Sequence, residues 1–178
     1  MIRTIVISIS LAVAATVAFI PAARAQGVKA EPRPYTQAFL KKAAEMQQAQ
    51  VALALLVDGR ATHKRVKQFG EDMIMVHKKM SQDIQQIAVE KGVQLPSELS
   101  DEHKQKLKEL TQPSGHAFDR EYMNYILRDH QNDVNAFEEG MQTLEDPAVL
   151  HWTYRTLPML RAHVEDARWI KMVLFAMD

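Results

Sequence analysis

Three histidines stand where apolar side chains are expected. His77 falls in the series Val66, Phe69, Met73, His77, Met80, Ile84, Ile87, and His130 in the series Phe118, Tyr122, Ile126, His130, Val134, Phe137, Met141. His163 falls in Leu160, His163, Ala167, Ile170, Leu174. Steps of three and four residues line one face of a helix, so all three imidazoles face inward. A neutral imidazole in that position is a ligand for zinc, copper, iron or nickel, or one member of a hydrogen-bonded layer that fixes helix register. Gln50 holds the matching place on a fourth stripe, Phe39, Ala43, Met46, Gln50, Leu53, Val57. Met73 and Met159 each precede a histidine by one turn, and thioether with imidazole suits monovalent copper, although Met is also an ordinary core filler. Asp129, Asp133 and Asp166 are spaced to orient the imidazoles as hydrogen-bond acceptors behind them.

Other chemistries are poorly served. A di-iron carboxylate site needs Glu-x-x-His pairs on two helices. Here Ile74, Leu127 and Leu160 stand three residues before the histidines. A non-covalent b-type haem is a lesser alternative to copper or zinc. With no cysteine there is no thiolate nucleophile, iron–sulfur cluster or disulfide. No Gly-rich phosphate loop or nucleophile elbow occurs, and Ser81, Ser97, Ser100 and Ser114 have no evident base beside them, so no catalytic set emerges. The 22 basic residues match 22 acidic ones, which excludes bulk steering to nucleic acid.

The elements that carry these residues are helical throughout. The spacing predicts helices over 35–58, 63–91, 115–144 and 147–175, with Thr62 as cap of the second, Gly59 and Gly92 as stops, and Asp146-Pro147 opening the fourth. Pro158 should kink the fourth helix. Residues 51–57 are apolar on every face, so that part of helix one should be enclosed. Between the second and third helices, residues 92–114 hold a short polar helix capped by Ser100. At 1.5 Å per helical residue and up to ~3.3 Å per extended one, this linker reaches about 55 Å, against about 43 Å for a helix of about 29 residues. A crossover joining parallel helices is therefore expected: an all-α, ferritin-like four-helix bundle over residues 35–178. Counted along each helix, the three histidines fall within about 3 Å of one level, near mid-height.

The N-terminus has its own logic. Arg3, an apolar run from Ile5 to Ile20 and the Ala23-Arg24-Ala25 pattern describe a signal peptide over residues 1–25. The run is short of the ~20 residues that span a bilayer, so the mature chain should have no transmembrane segment. Residues 26–34 form a flexible leader. An exported protein is expected, periplasmic in a Gram-negative cell.

FLKKAAE at 39–45, the stretch from Phe69 to His77, KGVQLPSEL at 91–99, FDREYMNYILRDH at 118–130 and LPMLRAHVEDA at 157–167 together resemble the bacterial domain of unknown function 4142 family. Its members are described as exported or outer-membrane proteins and grouped with ferritin-like bundles. The resemblance implies that fold and location, with no established activity. It carries an Asp-His pair onto Val76-His77, another onto Asp129-His130, and Leu-Pro-x-Leu-x-x-His onto Leu157 to His163. A Glu common in the family is Gln50 here, so a ligand set that used it has lost an anion. The sequence reading is thus a non-enzymatic exported bundle, a structural, interaction or envelope-stress module with an unidentified protein partner. The alternative is a metal-binding or redox protein built on the histidine layer.

Overall fold

The computed structural model describes residues 32–176, without the Phe175 side chain. The expected signal peptide and residues 26–31 of the leader lie outside the described residues. Six helices follow in order: α1 Pro34–Leu55, α2 Val57–Arg60, α3 Lys64–Lys91, α4 Asp101–Leu110, α5 Gly115–Thr143 and α6 Pro147–Phe175. Among the described residues there is no strand.

The ends have local causes. Pro34 and Pro147 sit in the first helical turn, where the missing N–H is not needed. The Asp146 carboxylate accepts from the Ala148 and Val149 amides at 3.0 and 3.2 Å, and the Ser100 hydroxyl from the His103 amide at 3.3 Å. Gly92 closes α3 at φ 67°, a left-handed conformation that glycine adopts without strain.

Three expectations need correction. Helix one breaks at Leu56, so Gly59 lies inside the short α2 instead of ending a continuous 35–58 helix. The cap of α3 is His63, whose Nδ1 accepts from the Arg65 amide. Thr62 instead gives its amide and hydroxyl to the buried carboxylate of Asp119 on α5, a tertiary contact that local sequence does not reveal. Within 51–57, Leu53, Ala54 and Val57 are buried but Leu55 is 57% exposed. The crossover covers another side of α1, so full enclosure does not occur. The sixth helix runs on through Pro158, whose side chain faces outward.

Contacts between helices fix the topology. Gln47 meets His77 and Val57 meets Gly70, so α1 and α3 with the α2 turn run antiparallel. Phe39 meets Phe137 and Gln50 meets Asp129, so α1 and α5 are antiparallel too. Helices α3 and α5 therefore run parallel, and the segment between them must return the length of the bundle. That crossover lies over the α1/α5 seam: Gln48 donates to the Pro96 carbonyl, Glu45 accepts from the Ser100 amide, and Lys106 stands 5.2 Å from the Tyr125 ring centre. This is the ferritin-like connectivity.

The core divides into two apolar clusters. One contains Phe39, Met80, Val134, Phe137, Trp152 and Leu160. The other contains Leu53, Phe69, Met73, Phe118, Ile126 and Ala167. His77, His130 and His163 belong to neither, and each sits between stripe neighbours of the two, His77 between Met73 and Met80 for instance. Burial of each large apolar side chain contributes about 1.5–3 kcal/mol, so the bundle tolerates one polar layer between two such clusters.

Candidate metal centre

The three imidazoles converge at that layer. His77 and His130 are 0% exposed and His163 is 7% exposed. Ring centroids lie 5.4, 5.2 and 5.3 Å apart, and one ring nitrogen of each lies within 4.8 Å of the others. The closest approach is between the Nε2 atoms of His77 and His130, at 3.3 Å.

Tautomers follow from the outer nitrogens. The His130 Nδ1 faces the Ile126 carbonyl at 3.2 Å. A carbonyl only accepts, so Nδ1 carries the proton and Nε2 presents a lone pair. The His77 Nδ1 meets the Gln47 Oε1 at 2.7 Å, which likewise leaves a lone pair on Nε2. Two lone pairs facing at 3.3 Å repel unless a cation lies between them. The alternative is for the Gln47 amide to turn, so that its NH2 donates to Nδ1 and His77 donates from Nε2 to His130. Two nitrogens bound to one metal at about 2.0–2.1 Å stand about 3.3–3.6 Å apart, which the His77–His130 separation meets.

The layer is also neutral. Burial, with the neighbouring His130 and His163, holds His77 well below the usual imidazole range. Burial, with His163, pushes His130 down to about 3. Burial lowers His163 as well, against the opposing pull of Asp166 and Asp72. Neutral imidazole is the form that ligates metal. The Gln47 Nε2 and His163 Nδ1 are buried without a partner, so these residues do not satisfy one another.

The other sequence-selected residues lie elsewhere. Gln50 is buried but turned away from the triad, donating to Asp129 at 2.7 Å and Asp133 at 3.2 Å. Asp129 also accepts from the Tyr125 hydroxyl at 3.2 Å and stands 3.8 Å from the His103 Nε2. Neither carboxylate hydrogen-bonds a triad histidine, contrary to the orienting role expected of them. Asp166 acts on His163 only through its charge. Met73 is packed in the second cluster, and Met159 is 36% exposed. The placement of Met159 leaves it outside the layer.

Two contributors escaped the sequence reading. Gln47 orients His77; it sits one turn before Gln50, but nothing in its spacing distinguishes it. His103, assigned to the crossover, pairs through Nδ1 with Glu45 at 2.8 Å and faces Asp129, and these two carboxylates, Asp129 foremost, raise it to about 9. Burial works to raise Asp129, but His103, His130 and the Gln50 amide together hold it below the usual carboxylate range. Burial and Asp129 push Asp133 up to about 8, so it is protonated at neutral pH.

A four-helix ferritin-like bundle with a histidine layer at mid-height defines the class. The family model for a domain of unknown function, DUF4142, matches residues 21–170, and the chain belongs to that family. Three solved structures share the fold. A DUF305 fragment from Deinococcus radiodurans superposes with a TM-score of 0.70 at 15% identity, covering 83% of this chain and 99% of that one. CopM in its Cu(I)-bound form gives a TM-score of 0.64 at 17% identity, covering 75% and 93%. CopM in its Cu(II)-bound form gives 0.63 at 14% identity, covering 77% and 95%. No curated protein matches the sequence. At these identities the likeness is one of fold. No helix among the described residues is long and apolar enough to cross a membrane.

Proposed function

We propose that this is an exported, non-enzymatic copper-binding protein, and that His77, His130 and His163 hold one copper ion in the monovalent state. The carrying observation is the pair of Nε2 atoms 3.3 Å apart, with the outer nitrogen of each ring facing an acceptor. Three neutral ligands with no carboxylate bonded to them favour the lower charge. The penalty for burying an ion grows with the square of its charge, so a dication would suffer about four times the Born cost of a monocation in the same cavity. Copper binding by CopM, on the same fold, supports the choice of metal. The N-terminal sequence supports export.

The experiment is elemental analysis of mature protein purified without a tag or chelator, followed by anaerobic Cu(I) titration. One copper per chain is expected, lost in His77→Ala and His130→Ala variants that keep their helical circular dichroism. At an ion concentration 100 times Kd, the parent should gain about 2.7 kcal/mol of stability and the variants nothing. A parent that stays folded and takes up no copper would leave the layer as a structural one, with the Gln47 amide turned to satisfy His77.

A further inference from the structure

We propose that the cleft between α3 and α6 is the route by which the cation reaches the histidine layer, with Asp72 and Asp166 as its transient ligands. This rests on the copper reading above and adds to it a path and two residues. The cleft encloses about 360 Å³ and is walled by Arg65, Phe69, Glu71, Asp72, Asp166 and Trp169, among others. Three carboxylates thus face one guanidinium, and that guanidinium lies over the Trp169 ring, 4.9 Å from its centre. A cleft of this sign concentrates cations before they bind.

The cleft abuts the layer. Phe69 lines it and also meets His163 edge-on, with ring centroids 5.9 Å apart. Phe69 therefore touches the acidic cleft on one side and the nearest imidazole on the other. Asp166 lies one turn beyond His163 on α6, and Asp72 one turn beyond Phe69 on α3, so both carboxylates flank the same point. His163 is also the one triad member with measurable exposure, at 7%, and its buried Nδ1 has no hydrogen-bond partner.

The clefts on the α1/α3 and α5/α6 sides are lined by Lys78 and by Arg128, Arg168 and Lys171, with no carboxylate in either lining, so they do not concentrate cations. The outer nitrogen of His77 faces Gln47 and that of His130 faces Ile126. On the α1/α5 side the crossover and the Gln50–Asp129 contact cover the bundle. Carboxylates are hard ligands that hold monovalent copper weakly, and imidazole holds it better. An ion drawn in by Asp72 and Asp166 is therefore passed to His163 when Phe69 yields, and is not retained in the cleft.

The test is the rate of uptake, separated from the final occupancy. Mature protein is mixed anaerobically with Cu(I) supplied as its acetonitrile complex. Loading is followed by stopped-flow tryptophan fluorescence, and final occupancy by elemental analysis. At low ionic strength, Asp72→Asn/Asp166→Asn should load roughly tenfold or more slowly than the parent while still reaching one copper per chain. Release to an added chelator should slow alike, as happens when only a barrier rises. In ~1 M salt, where charges are screened beyond about 3 Å, the difference should shrink. Removing the same charge at the exposed, distant Glu90 and Glu98 should leave the rate unchanged. Equal loading rates for the double variant and the parent overturn the route while leaving the triad as a copper site. A loss of affinity with an unaltered loading rate overturns it too. No uptake by the parent overturns the copper reading and the route together.

Discussion

Two histidine environments in this bundle have opposite outcomes. In the mid-bundle layer burial dominates, no carboxylate bonds to the rings, and His130 is driven down to about 3. Under the crossover, His103 stands between Glu45 and Asp129 and is raised to about 9. One kind of side chain is thus a neutral lone-pair donor in one place and a fixed cation in the other. The dividing line falls between adjacent residues. Asp129 and His130 are consecutive on α5, and a helix turns about 100° per residue. The carboxylate therefore faces α4 and Gln50, and the imidazole faces the interior. Without that angular separation Asp129 would sit against the layer and favour a charged His130. What a histidine does here is decided by the face it is on and the carboxylates within reach of that face.

The contrast can be broken most strongly at Asp129. Asp129→Ala removes an acceptor shared by Gln50 and Tyr125 and the chief partner of a half-buried cation, and should lower unfolding stability by about 2–4 kcal/mol. Urea denaturation measures this, and a loss below about 0.5 kcal/mol would show that the crossover network contributes little. Next in size is Gln47→Leu. It strands the Nδ1–H of His77, at about 1–3 kcal/mol of stability, and should weaken Cu(I) binding about tenfold, as loss of the group behind a metal-bound imidazole does. Unchanged affinity by chelator competition would mean that Gln47 does not set the tautomer.

Acid and alkali should act on the two environments separately in the metal-free protein. His130 has a folded value near 3 against 6.5 unfolded, so the unfolded chain binds the extra proton and stability falls as pH drops below 6.5. His103 is raised to about 9, so its contribution is complete below 6.5 and is lost as pH climbs toward 9. Asp133, raised from 3.8 to about 8, adds to the alkaline loss and opposes the acid one. His103→Gln should flatten the alkaline limb, by on the order of 1–2 kcal/mol, and leave the loss between pH 6.5 and about 4 in place. His130→Leu should reduce that acid loss and leave the alkaline limb in place. If His103→Gln abolished the loss between pH 6.5 and about 4, or His130→Leu the alkaline one, the division between the two environments would be wrong. The smallest effect belongs to His130→Leu near pH 7 without metal. His77 loses the partner of its Nε2 but keeps its Nδ1–H on the Gln47 Oε1, so one acceptor is left unpaired and stability should change by about 1 kcal/mol or less. A large loss there would make the layer itself a main source of stability.

Much of this was present in the order of residues. The stripes of three and four, the Asp146-Pro147 opening and the reach of 92–114 determined four long helices and a crossover. Equal counting from helix ends brought His77, His130 and His163 to one level, because rise per residue is constant whatever a helix packs against. Tertiary structure alone decided what lies beside that level. It turned Gln50 toward Asp129 and brought Gln47 to His77, since both glutamines are buried on α1 and only the positions of α3 and α5 distinguish them. It made His103 a cation, because its partners Glu45 and Asp129 lie 58 and 26 residues away along the chain. Periodicity tells which face of a helix is buried. Which groups face one another across a bundle depends on how the helices are rotated and seated, and that is settled by packing the two apolar clusters.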